Sequence, residues 1–419
     1  MSEHFDVLET RHVAEREADI ASALPRQVAA AKQVPALREC LAGVDADAVT
    51  SRAALAHLPV TRKSELLERQ MAQRATDPFG GYSAIGWRAL RGQQGARRVY
   101  QSPGPIYEPE SSRADYWRVA RALYAAGFRA GDLVHNSFSY HLTPGAWMME
   151  SGAAVLGCTM FPGGVGNTEL QLQAMQDLKP DGYTGTPSFL RIALEKATET
   201  GVAVPSLKRA LLSGEAFPPS LRDWLLERGV EGYQAYATAD VGLIAYETHA
   251  REGLVIDEGV IVEIVRPGTG DVLPDGEVGE VVVTVLHAEY PLLRFGTGDM
   301  SALLAGPCPS GRTNQRIKGW LGRADQTAKV RGMFVHPGQV AQVLKRHPEI
   351  LRARLVVQGE MASDHMTLHA EAGSAPEGLA QAVAATVRDL TKLRCEVLLC
   401  APGSLANDGK LIEDARRFA

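Results

Sequence analysis

Between Leu133 and Arg228 the chain alternates strand-like and helix-like runs. Leu133–Phe138, Val155–Phe161, Gly182–Gly185 and Leu207–Leu212 read as strands, and Thr168–Leu178, Pro187–Thr200 and Pro218–Arg228 read as helices, with one more helix between the first two strands. Alternation of strand and helix argues for a mostly parallel sheet with helices on its faces. The carboxyl ends of such strands lie along one edge, where ligands bind. After Arg228 the pattern changes. Leu254–Val265 and Glu277–Leu286 are rich in Val and Ile with no helix between them, and read as antiparallel strands of a smaller β-subdomain.

The flanks are simpler. The first 75 residues are rich in Ala, Arg and Glu at helical spacing, and are expected to form helices that brace the main body. Residues 76–110 are expected to be irregular, with many Gly and Pro. Ser111–Ser112 suit an N-cap for a helix bearing Trp117, Ala120, Leu123 and Tyr124, with Gly127 as its left-handed end. The last section reads as a strand at Thr327–Arg331, a helix from Pro337, strands at Arg352–Gln358 and His365–Ala372, a helix across Ala375–Leu393 and a strand at Glu396–Cys400. The expected architecture is α/β: a large N-terminal domain over 1–325 with mixed or parallel sheets and a β-subdomain, and a small α+β C-terminal domain over 326–419.

Composition sets bounds. The 419 residues carry a formal charge of −5, which argues against a nucleic-acid partner. There is no run of 18 apolar residues, so no membrane partner is expected. The N-terminus (MSEHFDVLET) has no basic-then-apolar signal pattern, and a cytoplasmic location is expected. Cys40, Cys158, Cys308, Cys395 and Cys400 form no CxxC pair and read as reduced thiols.

Tyr290–Asp299 (YPLLRFGTGD) carries the sharpest chemical signal. A Thr-Gly-Asp turn after a strand presents the Asp299 carboxylate to vicinal hydroxyls such as those of a ribose, a strong charge-assisted arrangement. It reads equally as an ordinary Asx turn. Gly322-Arg323-Ala324-Asp325 and then Ala328–Gly332 (AKVRG) follow, and with Asp299 they read as a nucleotide edge and an inter-domain hinge. Gly214-Glu215-Ala216 follows a strand at the carboxyl edge, as a ligand loop or a plain connection. Tyr236-Ala237-Thr238-Ala239-Asp240 offers an aromatic face for a base and a carboxylate near a metal-bound phosphate, or simply an Asp near a strand end. Gly163-Gly164-Val165-Gly166 lacks the Lys-Ser/Thr ending of a P-loop and reads as close backbone approach to a ligand or a strand. Phe138, Tyr140, Trp147 and Phe161 wall an aromatic pocket or fill core. His141 is an acid/base, a pocket hydrogen-bonder or a structural histidine. Lys410, in Asn407-Asp408-Gly409-Lys410, reads by itself as a solvated lysine.

In order and spacing these motifs resemble the adenylate-forming (ANL) superfamily, on its phenylacetate-CoA ligase branch. The resemblance runs from Leu58 (LPVTRKSELL) to Phe418. It passes through Asp132–Pro162, Ser213–Ala216, Tyr290–Asp299, Gly306-Pro307-Cys308 with Gly311-Arg312-Thr313, and Gly322–Pro337. It implies a two-step reaction: a carboxylate attacks the α-phosphate of ATP, a small mobile lid rotates, and the thiol of coenzyme A displaces AMP. It also implies roles. Asp299 would hold the ribose, Gly214–Ala216 and Tyr236 the adenine, and Asp325 the hinge, with Asp240 and Arg323 at the nucleotide. Lys410 would stabilise charge in the first step, and Phe138, Tyr140, His141 and Trp147, with Gly163 and Gly164, would face the acyl group.

The departures from the family pattern concern the triphosphate end. A Ser/Thr/Gly-rich phosphate loop of the type SSGTTGxP is replaced by Tyr100–Pro109 (YQSPGPIYEP), with prolines that donate no N–H and one serine, Ser102. Asp240 stands for the usual Glu, Ala239 for the Ser/Thr before it, and Gly296 for an Arg. Each lost charge-assisted contact is worth roughly 1.5–3 kcal/mol, which puts use of ATP and Mg²⁺ in question. Of the four cysteines that hold zinc in many members only Cys308 is present; Ser310, Tyr246 and Thr248 stand at the other positions, so no structural zinc and no other metal is expected. Three functions compete: an aryl- or acyl-CoA ligase acting on an aromatic or small hydrophobic acid; an ATP-independent acyltransferase moving an acyl group from CoA to the thiol of an acyl carrier protein; and a catalytically inactive binding protein. A homodimer is expected by analogy alone.

Overall fold

The structure is a computed structural model and describes residues 3–87, 95–321, 323–324, 328–331, 333–335, 337–359, 364–373, 376–406 and 410–416. Asp325, the expected hinge, and Asn407, Asp408 and Gly409 lie outside the described residues. The chain divides into two compact units, Met1–Gly322 and Arg323–Ala419.

The first unit is built on a nine-stranded sheet. Thr159–Pro162, Leu133–Asn136, Gly182–Gly185, Arg209–Leu212 and Glu231–Thr238 pair in parallel in that order. Gly242–Glu247, Leu254–Ile256, Arg316–Ile317 and Leu303–Leu304 continue it antiparallel. The crossovers are the helices Gly145–Leu156, Thr168–Leu178, Pro187–Thr200 and Pro219–Leu226. Local chemistry sets their ends. Pro187 opens its helix behind Thr186, whose hydroxyl accepts from the Phe189 N–H.

Three expectations about local structure are corrected here. Val155 and Leu156 are the last turn of a helix, not the start of a strand, because Gly157 takes φ 77° and ends the helix there; the strand begins at Thr159. The helix expected behind Ser111–Ser112 begins only at Ala120, because the Asp115 carboxylate takes the Val119 and Ala120 N–H groups at 2.8 and 2.9 Å. Leu254–Val265 is not one strand: Leu254–Ile256 joins the large sheet and Val260–Val265 joins the β-subdomain.

The β-subdomain is a four-stranded sheet in the order Thr61–Arg62, Phe295–Ser301, Gly279–Val285, Val260–Val265. Thr61–Arg62 lies parallel to Phe295 and Gly296, and the helix Lys63–Gln73 starts at the next residue. Buried Arg294 rivets this corner. Its guanidinium donates to Glu263 at 2.9 Å and to the carbonyls of Ala56, Leu58 and Gly270. Val28, Leu66, Val262, Val283 and Phe295 share one apolar core, so the N-terminal helices do pack on this body. The segment expected to be irregular contains a hairpin, Arg98–Ser102 with Ile106–Glu110.

The N-terminal segment reaches the positions compared above with zinc ligands. The buried Glu9 carboxylate accepts from the Phe5 N–H at 2.9 Å and the Tyr246 hydroxyl at 2.6 Å, and pairs with Arg312 at 3.3 Å. Cys308 Sγ lies 3.1 Å from Ser310 Oγ, and the Thr248 hydroxyl accepts from the Ala250 N–H.

The second unit has a four-stranded sheet in the order Cys395–Cys400, His365–Ala372, Ile350–Gln358, Ile412–Asp414. The helices Pro337–Arg346 and Leu379–Thr391 complete its core through Val340, Val343, Val383 and Val387.

Candidate active site

The five parallel strands end at one edge, with Asn136, Pro162, Gly185, Leu212 and Thr238 as their last residues. That puts Phe138–His141, Gly163–Gly164 and Gly214–Ala216 on the loops after these strands, and Tyr236–Asp240 at the end of the last strand and in the turn after it.

Asn136 organises the aromatic wall. Its Nδ2 donates to the Tyr140 hydroxyl at 2.9 Å and to the Ala146 carbonyl at 3.1 Å. Its Oδ1 accepts from the Thr184 hydroxyl and the Phe138 N–H. Tyr140 then meets Trp147 edge to face at 5.1 Å, and the Arg98 guanidinium of the hairpin lies 4.1 Å from the centre of the Trp147 ring. All three aromatic residues assigned to the acyl pocket, Phe138, Tyr140 and Trp147, are half-buried.

The glycine loop is held from below. Gln171 Nε2 donates to the Gly164 and Gly166 carbonyls at 2.9 and 2.7 Å, so its Oε1 must accept from Ser137 Oγ and His135 Nε2, each at 2.8 Å. His135 therefore carries its proton on Nε2. Burial pushes its pKa below the ordinary value, with the Gln171 bond opposing. A Cβ on Gly163 would stand 2.7 Å from His135 Nε2, so glycine is required where the loop crosses this pair. Gly164 is left close to Tyr140.

The expected Thr-Gly-Asp turn is part of the strand Phe295–Ser301. Gly298 takes φ 75°, and the register against the neighbouring strand shifts between Glu280 and Val282. This bulge re-aims the strand without ending it. Asp299 is buried, and both its oxygens are engaged: Oδ2 accepts from the Tyr236 hydroxyl at 2.9 Å and Oδ1 from Trp320 Nε1 at 3.0 Å. Glu215 takes the Ser188 hydroxyl at 2.5 Å and the Ser188 N–H at 3.3 Å, which ties Gly214–Ala216 to the start of a helix.

Further along the chain from Tyr236, buried Asp240 pairs through Oδ2 with Lys63 at 2.7 Å. Glu108, on the hairpin, is fully buried and accepts the Ser102 hydroxyl. Burial first, then the charge of Asp240, push its carboxyl well above the usual range. Among the described residues Glu108 Oε2, Asp240 Oδ1 and the Tyr290 hydroxyl have no hydrogen-bond partner. Glu110 next to it on the hairpin takes the Tyr100 hydroxyl and pairs with Arg98 at 2.8 Å.

His141, Lys410 and Arg323 complete the assigned residues that the structure describes. His141 is exposed, its N–H bonded to Ser139 Oγ at 3.1 Å. Lys410 is exposed and belongs, like Arg323, to the second unit. Lys63, Glu108, Asn136 and Trp320 were not assigned roles from the sequence. Lys63 and Asp240 are 177 residues apart, and no spacing rule joins them.

The parallel sheet thus carries an aromatic wall at the ends of its strands, and Tyr236 of its last parallel strand meets the buried Asp299 of the β-subdomain. A family model for AMP-binding enzymes matches residues 116–285. Phenylacetate-coenzyme A ligase of Thermus thermophilus is 32% identical over 360 residues, covering 81% of this chain and 77% of that protein. The enzyme of the same name from Aromatoleum evansii is 31% identical over 385 residues, covering 86% and 84%. A structure of 2-hydroxyisobutyryl-CoA ligase in complex with 2-HIB-AMP and CoA aligns with a TM-score of 0.84 and 25% identity over 100% of this chain and 93% of that one. The chain belongs to the adenylate-forming, AMP-binding family, on the phenylacetate-CoA ligase branch, and is an enzyme of the acyl-CoA ligase type. Among the described residues no helix is long and apolar enough to cross a membrane.

Proposed function

We propose that the chain handles an aromatic or small hydrophobic carboxylic acid as its CoA thioester. The observation that carries this is the Tyr140–Trp147 wall at the carboxyl ends of the parallel strands, together with the hydrogen bond from Tyr236 of that sheet to buried Asp299. In this reading Asp299 accepts from both ribose hydroxyls, Tyr236 and Gly214–Ala216 border the adenine, and Asp325 is the hinge between a domain over 1–325 and a lid over 326–419. ATP with Mg²⁺ and coenzyme A are the co-substrates. A carboxylate oxygen of the acid attacks the α-phosphorus and pyrophosphate leaves. The sulfur of coenzyme A then attacks the acyl carbon and AMP leaves. Lys410 supplies a cation while negative charge develops in the first step, where only transition-state contacts raise the rate.

A second reading is favoured by the hairpin. Glu108 and Glu110 are buried on the segment that replaces the phosphate loop, and Asp240 faces Lys63. Carboxylates do not fit the β- and γ-phosphates. An ATP-independent transferase needs neither: an acceptor thiolate attacks the thioester carbon of an acyl-CoA and the CoA thiolate leaves, with a carrier-protein thiol as the acceptor. Pyrophosphate exchange into ATP with a panel of aryl and short acyl acids separates the two. Exchange with any acid supports the ligase. No exchange, together with acyl transfer from CoA to a second thiol, removes it.

A further inference from the structure

Gln171 is buried in the helix Thr168–Leu178, under the glycine loop that follows the strand Thr159–Pro162. That strand is the last of its sheet, so among the described residues no further strand supports the loop from outside. A side-chain amide can donate twice and accept twice. Gln171 does all four at once: its donors go to the Gly164 and Gly166 carbonyls, and its oxygen takes Ser137 Oγ and His135 Nε2. The two groups it leans on are themselves fixed. Ser137 N–H donates to the Thr184 carbonyl at 2.8 Å, and the His135 ring stacks between Phe161 and Tyr183 of the flanking strands, with ring centres 5.0 and 6.3 Å away. The loop in turn borders the aromatic wall. Gly164 N–H donates to the Asn136 carbonyl at 3.0 Å, while the Asn136 side chain holds the Tyr140 hydroxyl. A Cβ on Gly163 would stand 2.8 Å from Gln171 Oε1, and one on Gly164 would stand 4.0 Å from the Tyr140 ring.

We propose that Gln171 is a positioning residue that sets the glycine loop against Tyr140, and so sets which acyl groups the aromatic wall accepts. This rests on the reading of Phe138, Tyr140 and Trp147 as the acyl pocket. A loop with three glycines can follow many backbone paths. Gln171 selects one of them by drawing two carbonyls onto a single amide. Gln171→Glu keeps the shape of the side chain and removes both donors, so an acceptor then faces both carbonyls and the loop moves away from Tyr140. Tyr236 and Asp299 lie on other strands and keep their bond.

The test is calorimetric titration of the full chain with CoA, benzoyl-CoA, phenylacetyl-CoA and propionyl-CoA, for wild type, Tyr140→Ala and Gln171→Glu. AMP is titrated as a control ligand, and melting temperatures are measured alongside. Burial of the acyl group should make the wild type prefer at least one acyl-CoA over CoA by about tenfold or more. In Gln171→Glu that preference should fall below about threefold, with CoA and AMP binding within about twofold of wild type. A purely structural role would lower the melting temperature and leave the preference in place. A preference that stays above that level in Gln171→Glu, or an equal loss for CoA and acyl-CoA, overturns the proposal and leaves the acyl reading intact. A wild type without preference for any acyl group, or Tyr140→Ala retaining the wild-type preference, removes the acyl reading itself and the proposal with it. If Gln171→Glu does not fold, Gln171→Met, which keeps the length and lacks both donors, is titrated instead: loss of the preference supports the proposal, and its retention overturns it.

Discussion

Asp299 and Glu108 are both buried carboxylates of the first unit, and their surroundings make them different chemical objects. Asp299 has a ring donor on each oxygen. Glu108 has one hydroxyl, from Ser102, an oxygen with no partner among the described residues, and Asp240 raising the cost of its charge. Donors on both oxygens aim a carboxylate; burial beside a like charge makes one hold a proton. Asp299 is thus held in place by two donors, while the hairpin end holds a carboxyl that keeps its proton beside the Asp240–Lys63 pair. The end with the donors is also the end where the sequence retains the family motif.

The sharpest way to break this contrast is Asp299→Ala. Losing two hydroxyl bonds to a charged group, at roughly 1.5–3 kcal/mol each, should weaken AMP at least about a hundredfold in calorimetry. A loss under about threefold would mean that the ribose end lies elsewhere. Next, Lys63→Met leaves the Asp240 charge buried without its cation. Urea unfolding should show a loss of about 2–3 kcal/mol, since removing one partner strands the other. The double variant with Asp240→Asn should recover most of it, and an undiminished stability in Lys63→Met would show that Asp240 is solvated.

The mildest change is Glu108→Gln, read against pH. The folded chain holds the Glu108 proton more tightly than the unfolded chain does. The stability this supplies is full below the ordinary carboxylate range and is lost as pH rises toward the elevated folded-state value. Gln can accept from Ser102 and has no proton to lose. The stability of the variant relative to wild type should therefore climb with pH, by about 1.4 kcal/mol per unit at most, in melts across mildly acid to neutral pH. A flat difference would mean that Glu108 is charged and paired, and the two ends would no longer differ in kind.

Periodicity located most of the elements. Thr168–Leu178, Gly182–Gly185, Pro187–Thr200 and His365–Ala372 stand where the sequence puts them. These runs have Pro, Gly or cap residues at their ends, which act through the local backbone. Some of the errors were local, as at Gly157 and Asp115, and the others came where a distant partner decides. Phe295–Ser301 continues through a Thr-Gly-Asp that looks like a turn, because Gly279–Val285 pairs with the strand before and after it. Arg98–Glu110 looks irregular until its two halves pair.

The chain's own residues determined the parallel sheet, its ligand edge and the family, because hydrophobic period and motif order are written along one dimension. They also gave Asp299, Tyr140 and Trp147 as candidates. Only the folded molecule decided what each carboxylate faces: Trp320 and Tyr236 for Asp299, Lys63 for Asp240, and Ser102 for Glu108. The energy of a buried charge depends on the few ångströms around it, and those neighbours come from segments far apart in the sequence.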